Sequence, residues 1–341
     1  MGLFGRKRSG LPQREVIQGH TYEDAVLDAA VRSAQDGEVG PALSALAESR
    51  GRPEVRALRV RVLAEAFVGR AESLQAKAFS SDDPDAWLLA GSTFVEEAWA
   101  IRGHGWASSV GQDRFRMFFA TLRKAIGPLN QAADGLAKDA VPWAEMQRAA
   151  LGLQADRDEM DAIWREIAAR SQTLYPAYYT RLQILAKKWG GSHEEMLAFA
   201  RLSTDAAAQG DPLAAMIPIA HFEVLLADQN ELVNTKHTIK AAMLPTTYFA
   251  KVRAEIDAAS EKWMVAIPRS HPRALEAHNA FAAAYVLAVE PVRARAHLVA
   301  MRDHLHDLPW NYFIDHDKLR DEYLKAYTKF VVKSPKPAAL Y

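Results

Sequence analysis

Asp82-Asp83-Pro84-Asp85-Ala86-Trp87-Leu88-Leu89-Ala90-Gly91 has the marks of a helix start. The carboxylate of Asp83 can accept the N–H groups that a first turn leaves unpaired, and Pro84 lacks only an N–H that such a turn does not use. Trp87, Leu88 and Leu89 then supply an apolar face, and Ala90 and Gly91 are small enough to let a second helix come close. The same grammar recurs along the chain. Asp211-Pro212 repeats the carboxylate–proline start, Asp156 with Glu159 and Ser192 with Glu195 have capping-box spacing, and Thr21 precedes a helix with Asp24 at its third position.

Between these starts the chain carries helical periodicity and no sustained alternation of period two. Phe115, Phe118, Leu122, Ile126 and Leu129 form one stripe, and Met160, Ile163, Trp164 and Ile167 another. Tyr178, Leu182, Leu185 and Trp189 form a third, and Val252, Ile256, Ala259 and Trp263 a fourth. Each puts apolar side chains on one helix face, which must pack against a neighbour. The tryptophans Trp87, Trp99, Trp143, Trp164 and Trp263 fall on such faces and read as core. The turns at Asp36-Gly37, Gly51-Arg52-Pro53, Gly190-Gly191 and Gln209-Gly210 leave room only for antiparallel neighbours. Pro218 conflicts with a helix running on from Pro212, so a kink or a restarted helix is expected there.

Prolines at helix starts recur at Pro142, Pro176 and Pro212, spaced by 34 and 36 residues, and again at Pro272 and Pro309. A helix pair repeating at about 34 residues is the tetratricopeptide period. His271-Pro272-Arg273-Ala274-Leu275-Glu276-Ala277-His278 is a fainter copy of the 82–91 pattern. The expected fold is all-α: an α-solenoid of stacked, tetratricopeptide-like antiparallel helix pairs over residues 21–230. Residues 231–331 continue the array or form a less regular C-terminal helical bundle, and a compact irregular α-bundle is the alternative architecture. Residues 1–20 read as a disordered basic tail and 332–341 as a second tail. Residues 101–113 interrupt the helical pattern with three glycines.

Two blocks carry a resemblance. Arg102-Gly103-His104-Gly105-Trp106-Ala107 and Lys188-Trp189-Gly190-Gly191-Ser192-His193-Glu194-Glu195-Met196-Leu197-Ala198-Phe199-Ala200-Arg201 resemble a bacterial family of tetratricopeptide-like proteins of undefined function. The resemblance spans roughly residues 80–230, and the second block is the more specific. It implies a helical-repeat fold and brings no catalytic residues.

Composition narrows the function classes. Lys plus Arg and Asp plus Glu are 42 each, so the basic excess that phosphate neutralisation demands is missing, and direct nucleic-acid binding is not expected. The absence of cysteine removes disulfides, thiolate nucleophiles and Cys-based metal sites. Arg6, Lys7 and Arg8 precede a polar stretch rather than a signal-peptide core, and no run of about 18 apolar residues exists, so a cytoplasmic chain without a membrane span is expected.

Binding candidates are few. Arg102, His104 and Trp106 lie in a glycine-rich loop, and Trp189, Ser192 and His193 surround a Gly-Gly turn. Trp, Arg and His favour binding surfaces, although each of these residues also has a structural use as a helix end, cap or core side chain. No set reads as catalytic, and neither a cofactor nor a metal is expected. Helical arrays present extended surfaces suited to peptides and partner helices. The expected function is therefore protein–protein interaction or scaffolding, and an enzyme is the less favoured class. The alternatives are a metal-dependent enzyme using the segment His304, His306, Asp307, Asp315, His316 and Asp317, or a small-ligand or peptide sensor. Against the metal reading, His304 and His306 are two apart and would point to different sides of a helix.

Overall fold

A computed structural model describes residues 14–103, 111–264 and 270–333. The protein is all-α. The described residues form α1 (Ala25–Gln35), α2 (Gly40–Glu48), α3 (Pro53–Ala66), α4 (Ala71–Ser81), α5 (Pro84–Arg102), α6 (Gln112–Gly135), α7 (Val141–Leu153) and α8 (Arg157–Arg170). They continue with α9 (Tyr175–Leu185), α10 (His193–Ala206), α11 (Met216–Asn234), α12 (Thr238–Met264), α13 (Ala274–Leu287), α14 (Pro291–Ala300) and α15 (Leu319–Tyr327). Two-residue strands β1 (Ile17–Gln18) and β2 (His304–Leu305) pair in parallel. The chain divides into two compact units: Glu23–Ile184, and the chain from Leu185 onward together with the segment up to Tyr22.

The Glu23–Ile184 unit is organised around two buried arginines of α3. Arg59 donates to both oxygens of Asp24, at 2.7 and 3.1 Å, and to the carbonyl of Ala45 at 2.8 Å. Asp24 is the cap of α1, accepting from Val26 and Leu27 N–H, so the cap lies three residues beyond Thr21. Arg56 pairs with Asp85 in the first turn of α5 and with Asp139, and donates to the carbonyl of Leu46 at 2.6 Å. Asp139 in turn accepts the N–H of Val141, the first residue of α7. The two guanidinium groups thus join carbonyls of the last turn of α2 to carboxylates at the starts of α1, α5 and α7, where helix dipoles favour those charges.

The expected close approach at Gly91 is present. A Cβ there would lie 2.7 Å from Leu129 Cγ and 3.1 Å from its backbone nitrogen, so α5 rests directly on α6. Phe118, Leu122 and Leu129 of the α6 stripe are buried, as are Met160, Ile163 and Ile167 of α8.

In the other unit several expectations are corrected. Residues 14–20 are not free tail: Ile17 N–H donates to the Asp303 carbonyl at 3.0 Å, Gly19 N–H donates to Leu305 at 2.9 Å, and Arg14 pairs with Asp303. Pairing with residues almost the whole chain away leaves no local pattern in residues 14–20. The third stripe ends early, because α9 stops at Leu185 and Trp189 closes a short 3-10 turn. Gly191 sits where a Cβ would be 2.0 Å from the Leu185 carbonyl oxygen, which explains the glycine. Ser192 caps α10 by accepting from Glu195 N–H, and Asp83, Asp156 and Asp211 cap as expected. A 3-10 turn at Pro212–Ala215 precedes a new helix from Met216, so Pro218 falls in a first turn where no N–H is needed. Pro245 lies inside α12, and the Ala241 carbonyl it cannot serve accepts from Gln229 Nε2 of α11 at 3.2 Å.

Two substitutions test this arrangement. Arg56→Ala removes the buried partner of Asp85 and Asp139 and should cost about 3–5 kcal/mol in urea unfolding. Arg50→Ala, removing a half-exposed partner of the same carboxylate, should cost about 1 kcal/mol or less. Equal costs would show that Arg56 is not the central clamp. Gly91→Ala should destabilise by about 1–3 kcal/mol despite a better helix propensity. A neutral or stabilising result would mean that α5 and α6 can separate freely.

Candidate functional site

The first binding candidate leaves little to describe. Arg102 ends α5 with its guanidinium 5.5 Å from the centre of the Trp99 ring and donates to the Gly103 carbonyl. His104 and Trp106 lie outside the described residues.

The second candidate leads further. Ser192 is committed to the α10 cap, and Trp189 is half-buried in the preceding turn. His193, the first residue of α10, has Nε2 at 3.8 Å from Asp228 Oδ1 of α11, and neither ring nitrogen has a hydrogen-bond partner among the described residues. Two turns back along α11, on the same face as Asp228, His221 is buried between Tyr248 and Glu255 of α12. Its Nδ1 is 2.8 Å from the Tyr248 hydroxyl and its Nε2 is 3.1 Å from Glu255 Oε2. With the hydroxyl donating to Nδ1, the Nε2–H donates to Glu255. Arg201 of α10 completes the row with a two-pronged pair to Glu255 at 2.7 and 3.1 Å. Burial lowers the His221 pKa despite Glu255, while the Arg201 hydrogen bond leads in lowering that of Glu255. Burial, with Asp228 and Glu255, raises the Tyr248 pKa. The Tyr248 oxygen is therefore held as a neutral hydroxyl, which makes it a poor nucleophile, and the row acts as a clamp on three helices. Beside it, the buried Glu223 of α11 accepts from Lys188 at 2.7 Å and from the Tyr312 hydroxyl at 2.7 Å.

A second row has the order of a nucleophile, a base and an orienting group. Ser260 Oγ lies 2.9 Å from His297 Nε2, and His297 Nδ1 lies 2.9 Å from His278 Nδ1. Ser260 and His297 are only 2% and 1% exposed, however, and the rings of Trp263, Phe281 and Tyr285 stack around His297. A hydroxyl closed off in this way cannot meet a substrate, so the row is a polar link between α12, α13 and α14.

The His/Asp-rich segment is spread apart. His304 is in β2, not a helix, and bonds the His20 carbonyl; His306 Nδ1 bonds the Leu308 backbone; Asp307 accepts from Gln18; Asp315 pairs with Lys318. Among the described residues no three His, Asp or Glu side chains converge at metal-binding distance.

The feature that periodicity did not single out is apolar. At the tip of the α11–α12 hairpin Val233 is 51%, Ile239 77% and Met243 61% exposed. Ile239 and Met243 are one turn apart on α12 and share a face. Lys236, Lys240 and Lys251 are exposed around them, and none has an ion pair among the described residues.

No family model, curated protein or solved structure matches the chain. Among the described residues no helix is long and apolar enough to cross a membrane.

The histidine pair predicts acid sensitivity. Burial pushes His278 down to about 3 and His297 well below its usual value, with Arg302 beside the first and His278 and Arg293 beside the second acting in the same direction. An unfolded chain takes up protons at these rings as pH falls through the ordinary value of 6.5, whereas in the folded chain His278 resists until about 3 and His297 stays neutral well below its usual value. Stability should therefore be full above that upper value and decline below it, by on the order of a few kcal/mol at about pH 4. Urea midpoints measured against pH should show this decline, with His278→Gln flattening part of it. An identical slope in that variant would place the acid sensitivity elsewhere.

Proposed function

We propose that the chain is a protein-binding scaffold of tetratricopeptide-like helix pairs, working in the cytoplasm and docking a partner protein on the α11–α12 tip. The observation that carries this is the exposure of Val233, Ile239 and Met243 on an ordered helix pair. Single exposed apolar residues are ordinary, but grouped aliphatic side chains on one surface mark interaction sites. Near the tip Gln229 of α11 bonds the Ala241 carbonyl of α12, so the side chains are presented on two joined helices and a partner does not have to order them. The two polar rows support the same reading, since each holds helices together and neither offers a group placed for chemistry on a substrate.

Crosslinking of the full chain in its native cells, followed by purification and intact-mass measurement, provides the test. Wild-type protein should retain a stoichiometric protein partner, and the double variant Ile239→Ser/Met243→Ser should retain at least tenfold less of it. The variant's helical content and melting temperature should be unchanged, because both side chains are in water. A partner retained equally by the double variant would overturn the assignment of this surface.

A further inference from the structure

The protein-binding reading names a surface, and the charge around that surface selects what lies on it. We propose that the occupant of the α11–α12 tip is an acidic amphipathic helix of the partner protein, laid along the first four turns of α12 with its apolar residues on Ile239 and Met243 and its carboxylates on Lys236, Lys240 and Lys251. This inference rests on the docking role proposed for the tip.

Three observations carry it. The exposed face of α12 runs through Ile239, Met243, Thr246 and Ala250, spaced by four, three and four residues. That spacing makes a straight stripe about 16 Å long, which suits a second helix packed along it. The stripe has no charge of its own, and the chain from Thr238 to Ala254 contains no Asp or Glu. Lys240 and Lys251 follow one flank of the stripe, about three turns apart, and Lys236 stands at its start. All three side chains are exposed, and none is neutralised by a neighbour within the described residues. Some surface cations of this unit already have a carboxylate, as Arg201 with Glu255, Arg253 with Glu290, Arg293 with Glu261 and Lys325 with Glu322. The lysines of the tip are among those that have none within the described residues.

An anionic bilayer is the other surface that such a tip could meet. Its recognition by charge takes a cluster of about 4–8 cations beside large interfacial side chains. The tip has three lysines, distributed along a helix axis, and a stripe that narrows to Thr246 and Ala250. Length and small residues favour helix-on-helix packing, where Ala and Thr let the backbones approach.

The test uses the full chain and two synthetic fifteen-residue peptides, fluorescently labelled and otherwise identical. Both carry Leu at positions that match the stripe; one has Glu on its flanks and the other has Lys. Vesicles of phosphatidylcholine and phosphatidylserine in a 3:1 ratio serve as the third probe. Anisotropy titration should show the Glu peptide binding at least tenfold more tightly than the Lys peptide, with the difference shrinking as salt is raised. Lys240→Glu/Lys251→Glu should invert that preference while circular dichroism and the melting temperature stay unchanged. Equal binding of the two peptides, weakened for both by Ile239→Ser/Met243→Ser, would overturn the acidic-helix assignment and leave the docking role standing. Failure of both peptides while the chain sediments with the vesicles would overturn both. Failure of all three probes would overturn the acidic helix alone, and the crosslinking measurement would then decide the docking role.

Discussion

Two guanidinium groups in the interior of the Glu23–Ile184 unit set a condition that the surrounding helices must meet together. A buried arginine cannot shed its charge, so every N–H it carries needs an oxygen at the right distance. Arg56 and Arg59 find those oxygens on the outgoing carbonyls of α2 and on Asp24, Asp85 and Asp139. Asp24 and Asp139 are also engaged with the free N–H groups at helix starts. Shifting α1, α5 or α7 by one turn along its axis would leave a carboxylate and a guanidinium unpaired at the same time. Apolar packing by itself tolerates such slips, since one leucine stripe resembles another one turn away. The arginine pair does not, and this is what gives a set of similar helices one registration.

The other unit uses amide, imidazole and hydroxyl groups, together with the Arg201–Glu255 ion pair, for the same purpose. Asn279, buried in α13, donates to the Leu275 and His304 carbonyls and accepts from His306 N–H and the Trp310 indole. One amide therefore holds the irregular chain after α14 against a helix. The rows Tyr248–His221–Glu255–Arg201 and Ser260–His297–His278 do likewise for α10 to α14. Both resemble parts of enzymes in their order of groups, but order alone does not make a site. A nucleophile must be reachable and reactive: Ser260 is enclosed by rings and helices, and the Tyr248 hydroxyl is held neutral. The groups in contact with water at the α11–α12 tip include the aliphatic side chains of Val233, Ile239 and Met243 and three lysines with no ion pair among the described residues.

Residues close in sequence announced much of this protein. The caps at Asp83, Asp156, Ser192 and Asp211, the stripe of α6 and the close approach at Gly91 all depend on contacts within one turn or on a period of one helix. Such contacts are decided by side-chain chemistry and fixed backbone spacing, so they can be read before any tertiary structure exists. Of the site candidates, Ser192 was legible as a cap for this reason. His193 was legible only as a residue type, because Asp228 reaches it from another helix.

Tertiary structure decided everything that joins distant residues or faces the solvent. Arg56 and Asp139 are 83 positions apart, and the Arg14–Asp303 pair spans 289. No period or spacing connects them, and many other arginines and aspartates would have served as well on paper. The seating of residues 14–20 beside β2 is hidden for the same reason. Exposure is equally nonlocal: Ile239 and Met243 follow the same helical spacing as a buried stripe, and they differ from one because no other helix among the described residues covers them. Local chemistry was enough to make this chain helical, and the packing of those helices determined which apolar side chains were buried and which stayed in water.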